Sequence, residues 1–130
     1  MPDWTLLRAP EGRFITCDRG YAIHDPTPSV PWAAQALLSS ENSETTFPLS
    51  SEVCLRLRRG SASAGLSIAE VDARQVEQIN LRTYGWAEDY MFGETQAALV
   101  AVRTAARQRP ADVVRPLPLT QAIMVEPRSR

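Results

Sequence analysis

The sequence contains no lysine; all 14 of its basic residues are arginine. It also has only one histidine and two cysteines. Each scarcity removes a class of function. A lone imidazole, His24, with Cys17 and Cys54 far apart, does not make a convincing zinc site, so no metal or other cofactor is expected. The two cysteines lie in apolar, strand-like stretches and read as small core residues rather than as a disulfide. No apolar run approaches the roughly 20 residues of a spanning helix. The opening MPDWTLLRAPEGR lacks a basic region followed by an apolar core, so no secretory signal is expected and a cytoplasmic location is the default. A net charge of −1 argues against a general polyanion binder, which makes nucleic acid an unlikely partner. There is no glycine-rich phosphate loop, no H-E-x-x-H and no G-x-S-x-G.

What is present suits one soluble domain. A chain of 130 residues, 44% hydrophobic and 22% charged, can bury a single core without disulfides or metal. Charge is unevenly spread. Residues 1–55 carry three Arg against seven acids, and residues 96–130 six Arg against two acids. Arginine alone would suit bidentate anion binding, but a GC-rich codon bias explains the missing lysine as readily.

Trp4 to Arg8 reads as a strand, and Ala9-Pro10-Glu11-Gly12 as a turn. Arg13 to Cys17 is rich in aromatic and β-branched residues and reads as a second strand, paired with the first as a hairpin. Tyr21 to His24 is a short third one. From Asp25 to Thr45 prolines break the pattern, with one or two helical turns expected over Trp32 to Leu38. Thr45 to Leu49 leads into Glu52 to Arg58, where Val53, Leu55 and Leu57 alternate with Cys54, Arg56 and Arg58. Gly60 to Gly65 reads as a loop. Ser67, with Glu70 three residues on, is placed to cap a helix from about Ile68 to Tyr84, and Gly85 to stop it. Val76, Ile79, Asn80, Thr83 and Ala87 share one side of that helix. A strand is expected at Asp89 to Phe92 and a second helix from Thr95 to Arg109, with Leu99, Val102 and Ala106 inward. Ala122 to Val125 is a candidate edge strand. The fold class that follows is α+β: a mainly antiparallel sheet of about four to six strands with two helices packed on one face.

The order W-T-L-L, F-I-T-C-D, F-P-L-S, then a helix bearing Q-I-N, resembles the C-terminal part of the bacterial proteins grouped as the domain of unknown function 4238 family. The residues concerned are Trp4–Leu7, Phe14–Asp18, Phe47–Ser50 and Gln78–Asn80. Cys17 and Gly20 stand where that family more commonly has Ser and Pro. Family members are typically longer, with an amino-terminal half bearing His-x-x-Pro. Here His24 is followed by Asp25 and Pro26. The resemblance therefore implies the C-terminal half of a longer architecture, and it implies no particular activity.

Several residues have chemistry to offer. Asp18, at a strand end, suits an Asx turn, or a metal, cation or arginine facing a cleft. Asn80 interrupts an apolar helix face and suits a structural clasp between helix and sheet. His24 beside Asp25 would serve as a base oriented by a carboxylate. Arg56 and Arg58, with Arg103 and Arg107, would form an anion-binding face, or simply solvated faces of sheet and helix. The function expected is a non-catalytic or catalytically incomplete module that binds a partner protein or another copy of itself. The alternative is a hydrolase or nuclease acting on phosphate esters through Asp18 and His24, with Arg56 or Arg58 gripping the anion.

Overall fold

The computed structural model describes residues 3–24, 43–58 and 65–113. The helical turns expected over Trp32 to Leu38 and the strand at Ala122 to Val125 lie outside these residues. The elements are β1 (Asp3–Arg8), β2 (Thr16–Cys17), β3 (Ala22–His24), β4 (Glu44–Pro48), β5 (Val53–Arg58), β6 (Gly65–Glu70), α1 (Ala73–Trp86), β7 (Met91–Phe92) and α2 (Gln96–Gln108), closed by a 3-10 turn at Pro110–Asp112. Five strands form one sheet in the order β3-β4-β5-β1-β6, and β2 and β7 form a second, two-stranded sheet. All pairs are antiparallel except β1 with β6. The class is α+β with a mostly antiparallel sheet and two helices. No helix among the described residues is long and apolar enough to cross a membrane.

The inner face of the sheet is set by the register. Leu7 stands opposite Cys54 and Ala69, and these pack with Phe14, Val76 and Ile79 into one core cluster. Each such large apolar side chain, fully buried, contributes about 1.5–3 kcal/mol. α1 thus covers the sheet directly. α2 lies against α1 and the small sheet, with Ala98 and Val102 around Ile15 and with Ala105 and Ala106 around Leu81.

Four sequence expectations need correction. The first two strands do not form a hairpin: β1 pairs with β5 and β6, and β2 with β7. After Ala9 the chain crosses the β4–β5 turn, donating from Ala9 N to Glu52 O and from Phe14 N to Ser51 O. Only Thr16 and Cys17 remain as strand.

Secondly, the stretch around Ser67 is strand rather than helix start. Leu66 and Ile68 alternate with Ser67 and Ala69 at a strand period. The helix begins six residues after Ser67, where Asp72 caps the Gln75 N–H and the Gln75 side chain returns to the Asp72 N–H. Two orphan amides are satisfied reciprocally there, which Ser67 could not do from within a ladder.

Thirdly, Gly85 does not stop the helix. The last helical residue is Trp86, wholly buried against Ala22 and Ile23, and Ala87 closes the helix with an N–H to Thr83 O. Burial of the indole outweighs the weak helix propensity of Gly85. Finally, the strand expected at Asp89 to Phe92 is confined to Met91 and Phe92.

Candidate functional site

Asn80 is 4% exposed and sits on the side of α1 facing the chain between β1 and β2. Its side-chain oxygen accepts from Ile15 N at 3.1 Å, and its amide nitrogen donates to Arg13 O at 2.8 Å. These are the backbone groups that a strand partner would have paired.

Asp18 ends β2 at the far side of the small sheet. One carboxylate oxygen accepts from Glu88 N at 2.9 Å and the other from Asp89 N at 2.8 Å. Its own N–H donates to Tyr90 O. The Glu88 and Asp89 amides hold this carboxyl below its ordinary value. Both oxygens are thus engaged by backbone on the turn that leads from α1 into β7. Next to it, Arg19 spreads over the Trp86 ring at 5.9 Å and pairs with Glu88 at 3.7 Å.

His24, Arg56 and Arg58 belong to the large sheet. His24 stands opposite Glu44, Glu44 opposite Arg58, and Arg58 opposite Asp3. This places His24 and Arg58 in one cross-strand row, whereas Asp18 lies on the small sheet. Glu44 is the hub of the row. It accepts from Arg58 Nε at 3.0 Å and from Arg82 of α1 at 2.6 Å. Burial pushes the Glu44 carboxyl up, but the Arg82 and Arg58 guanidiniums outweigh it and hold the group below its ordinary value. Arg56 lies one row further in, with a hydrogen bond to the Thr5 hydroxyl at 3.5 Å. Burial, then the neighbouring Arg58 charge, pulls its pKa down.

The arginine-bearing face of β5 is thus the face turned towards α1, and its leucines point the other way. Arg103 and Arg107 are exposed on α2, in another layer. A groove of about 850 Å³ runs between α1 and α2, lined by Ala73, Val76, Asn80, Ala97, Ala101 and Ala105 among others. Its lining includes none of Asp18, His24, Arg56 and Arg58. Among the described residues, no group of three His, Cys, Asp or Glu side chains is arranged to hold a metal ion.

The outer face of the sheet carries a different surface. Leu66, Trp4 and Leu57 form one row, and Ile68, Leu6, Leu55 and Phe47 the next. Exposure rises across these rows towards β6. The residues on β1, β4 and β5 are half-buried, whereas Leu66 is 77% and Ile68 68% exposed. β6 ends the sheet, with β1 as its one strand neighbour among the described residues. Sequence reasoning missed this surface, along with Glu44 and Arg82. The alternation of Leu66 and Ile68 ahead of the Asp72–Gln75 capping box is the signal that finds it.

No curated protein and no solved structure matches this sequence. The profile of one family, described as Protein of unknown function (DUF4238), matches residues 2–97, from before β1 to the first turn of α2. That span takes in both sheets and α1, and the chain belongs to the DUF4238 family.

Proposed function

We propose that this chain is a non-catalytic interaction module that binds protein through the open end of its sheet. The observation that carries the reading is the pair Leu66 and Ile68, more than two-thirds exposed on a strand that ends the sheet. A terminal strand offers unpaired backbone groups in register for another strand. Edge strands are usually blunted by lysine, proline, a bulge or brevity. β6 has six residues, with its one charge at the last position, Glu70. The half-buried rows behind it supply a continuous apolar floor, the kind of patch that marks an interaction site.

The alternative, phosphate-ester hydrolysis, has less support. A base and the groups that assist it must share one cleft, yet Asp18 follows β2 of the small sheet and is held by two backbone amides, whereas His24 and Arg58 stand in one row of the large sheet. Arg58 and Arg82 are likewise engaged by Glu44.

The test is an assay for turnover of a phosphomonoester and of single-stranded and duplex DNA. No turnover above the level of Asp18→Asn/His24→Ala is expected. Turnover lost in that double variant would replace the interaction reading with the hydrolase one.

A further inference from the structure

We infer that the partner at β6 is β6 of a second copy, paired antiparallel about a two-fold axis through Ser67; this rests on the interaction reading above. The backbone sets which residues can bond outwards. Val71 N donates to Arg8 O at 2.9 Å, so the odd-numbered residues of β6 turn their N–H and C=O groups towards β1. Leu66, Ile68 and Glu70 turn theirs outwards, because these directions alternate along a strand.

An antiparallel partner pairs through those outward residues. A two-fold axis perpendicular to the sheet keeps the outer faces of both copies on the same side. Residues directly opposite must then share a face, which restricts the registers. With the axis at Ser67, Leu66 of each copy meets Ile68 of the other in a hydrogen-bonded pair. Both members of each pair are apolar and exposed. Moving the axis to Ile68 would set Leu66 against Glu70 and bury a carboxylate beside a leucine, which is unfavourable. In the Ser67 register the two Glu70 side chains stand about 20 Å apart, beyond the reach of screened repulsion.

The result is a ten-stranded sheet whose outer apolar rows continue from one copy to the next. Ser67 faces its symmetry mate in a non-hydrogen-bonded pair, where side chains approach most closely. Its hydroxyl, 3.2 Å from that of Thr5, lies on the inner side with the two-fold axis between the copies. A six-residue edge buries less than a standard interface, so the dimer is concentration-dependent.

The experiment combines light scattering after size exclusion with oxidative cross-linking of the full chain. The mass is expected to rise with concentration from 14.4 kDa towards twice that value. Leu66→Glu/Ile68→Glu, at exposed positions, should weaken association by roughly a hundredfold or more, since two apolar pairs become charged. Circular dichroism should show it folded. Ser67→Cys should form a disulfide-linked dimer under mild oxidation, whereas Ile68→Cys and the unmodified chain should not. A chain that stays monomeric at millimolar concentration, with Ser67→Cys uncross-linked, overturns the inference. So does association that survives Leu66→Glu/Ile68→Glu, which would move the interface elsewhere and leave the interaction reading standing. The phosphate-ester assay decides that reading separately.

Discussion

Asn80 holds Ile15 as a neighbouring strand would. Its oxygen accepts the Ile15 N–H at 3.1 Å, and its nitrogen reaches the carbonyl of Arg13 at 2.8 Å. A side-chain amide presents one acceptor and one donor with nearly the spacing of a peptide group. One residue of α1 thereby completes the hydrogen bonds of a segment that leaves the sheet. This lets Phe14 enter the core under α1 while Ile15 turns towards α2. The helix and the β1–β2 connection are fastened through a side chain that is itself buried.

Removing that amide should be costly. Asn80→Ala leaves the buried Ile15 N–H and the part-buried Arg13 carbonyl without their partner, at about 1–3 kcal/mol for the buried donor and less for the acceptor. Urea unfolding should show a loss of about 1–3 kcal/mol. Asn80→Asp keeps the acceptor for Ile15 but faces the Arg13 carbonyl with a second oxygen, so it should be no milder than Ala at neutral pH. A loss under 0.5 kcal/mol for both would mean that water replaces the clasp.

Glu44 should give the fold an acid-sensitive step. Its carboxyl is held below the ordinary 4.5, because the guanidiniums of Arg82 and Arg58 overcome the opposing effect of burial. A carboxyl lowered by folding contributes stability that is full above its unfolded value and is lost as pH falls through its folded value. The urea midpoint should therefore drop as pH is lowered below about 4.5, and Glu44→Gln should flatten that part of the profile relative to the unmodified chain. Arg82→Met removes the stronger of the two attractions and brings the folded value up towards the unfolded one, so the drop should shrink. Superimposable profiles for the unmodified chain and Glu44→Gln would contradict the arrangement.

The parts of the fold legible in the sequence were those governed by local periodicity. β5 is readable because Val53, Leu55 and Leu57 alternate with Cys54, Arg56 and Arg58, and α1 because Val76, Ile79, Asn80 and Thr83 recur on one side. Which face of β5 would meet the helix was not readable. Arginine ordinarily marks the wet face, yet here Glu44 pairs with both Arg58 and Arg82 of α1 and so ties Arg58 to the helix side. Ser67 and Asp72 both begin plausible helix caps. What decides between them is the parallel pairing of β6 with β1, more than 60 residues earlier in the chain. The Arg13 to Cys17 stretch has strand propensity throughout, but a helix side chain satisfies half of it. Non-local partners of this kind leave no mark on local pattern.

Cys54 should be inert while the chain is folded. The thiol is wholly buried on the inner face of β5, and burial pushes its pKa up to about 12. Thiolate is the reactive form, so alkylation at pH 8 should be slow in the folded protein and rapid in urea. Mass spectrometry after a short pulse of iodoacetamide should find Cys54 unmodified without denaturant. Full modification within that pulse would place the thiol in solvent and discard the register of β5 against β1.

Asp18 should control the turn after α1 rather than any reaction. Its two oxygens accept from successive amides, Glu88 and Asp89, which hold its carboxyl below 3.8. Because the lowered group stays charged down to its folded value, the clasp should be intact at pH 5 and lost as pH falls through a point below 3.8. The amide proton shifts of Glu88 and Asp89 should move together with the Asp18 carboxyl in one NMR titration. In Asp18→Ala both amides should lose that titration and exchange faster with solvent, and the Met91–Phe92 pairing with Thr16–Cys17 should fray because its anchor has gone. Asp18→Asn retains one acceptor oxygen and should protect one amide of the two. A midpoint at or above 3.8 in the unmodified chain, or unchanged amide exchange in Asp18→Ala, would free the carboxylate from this role and return it to the candidates for chemistry.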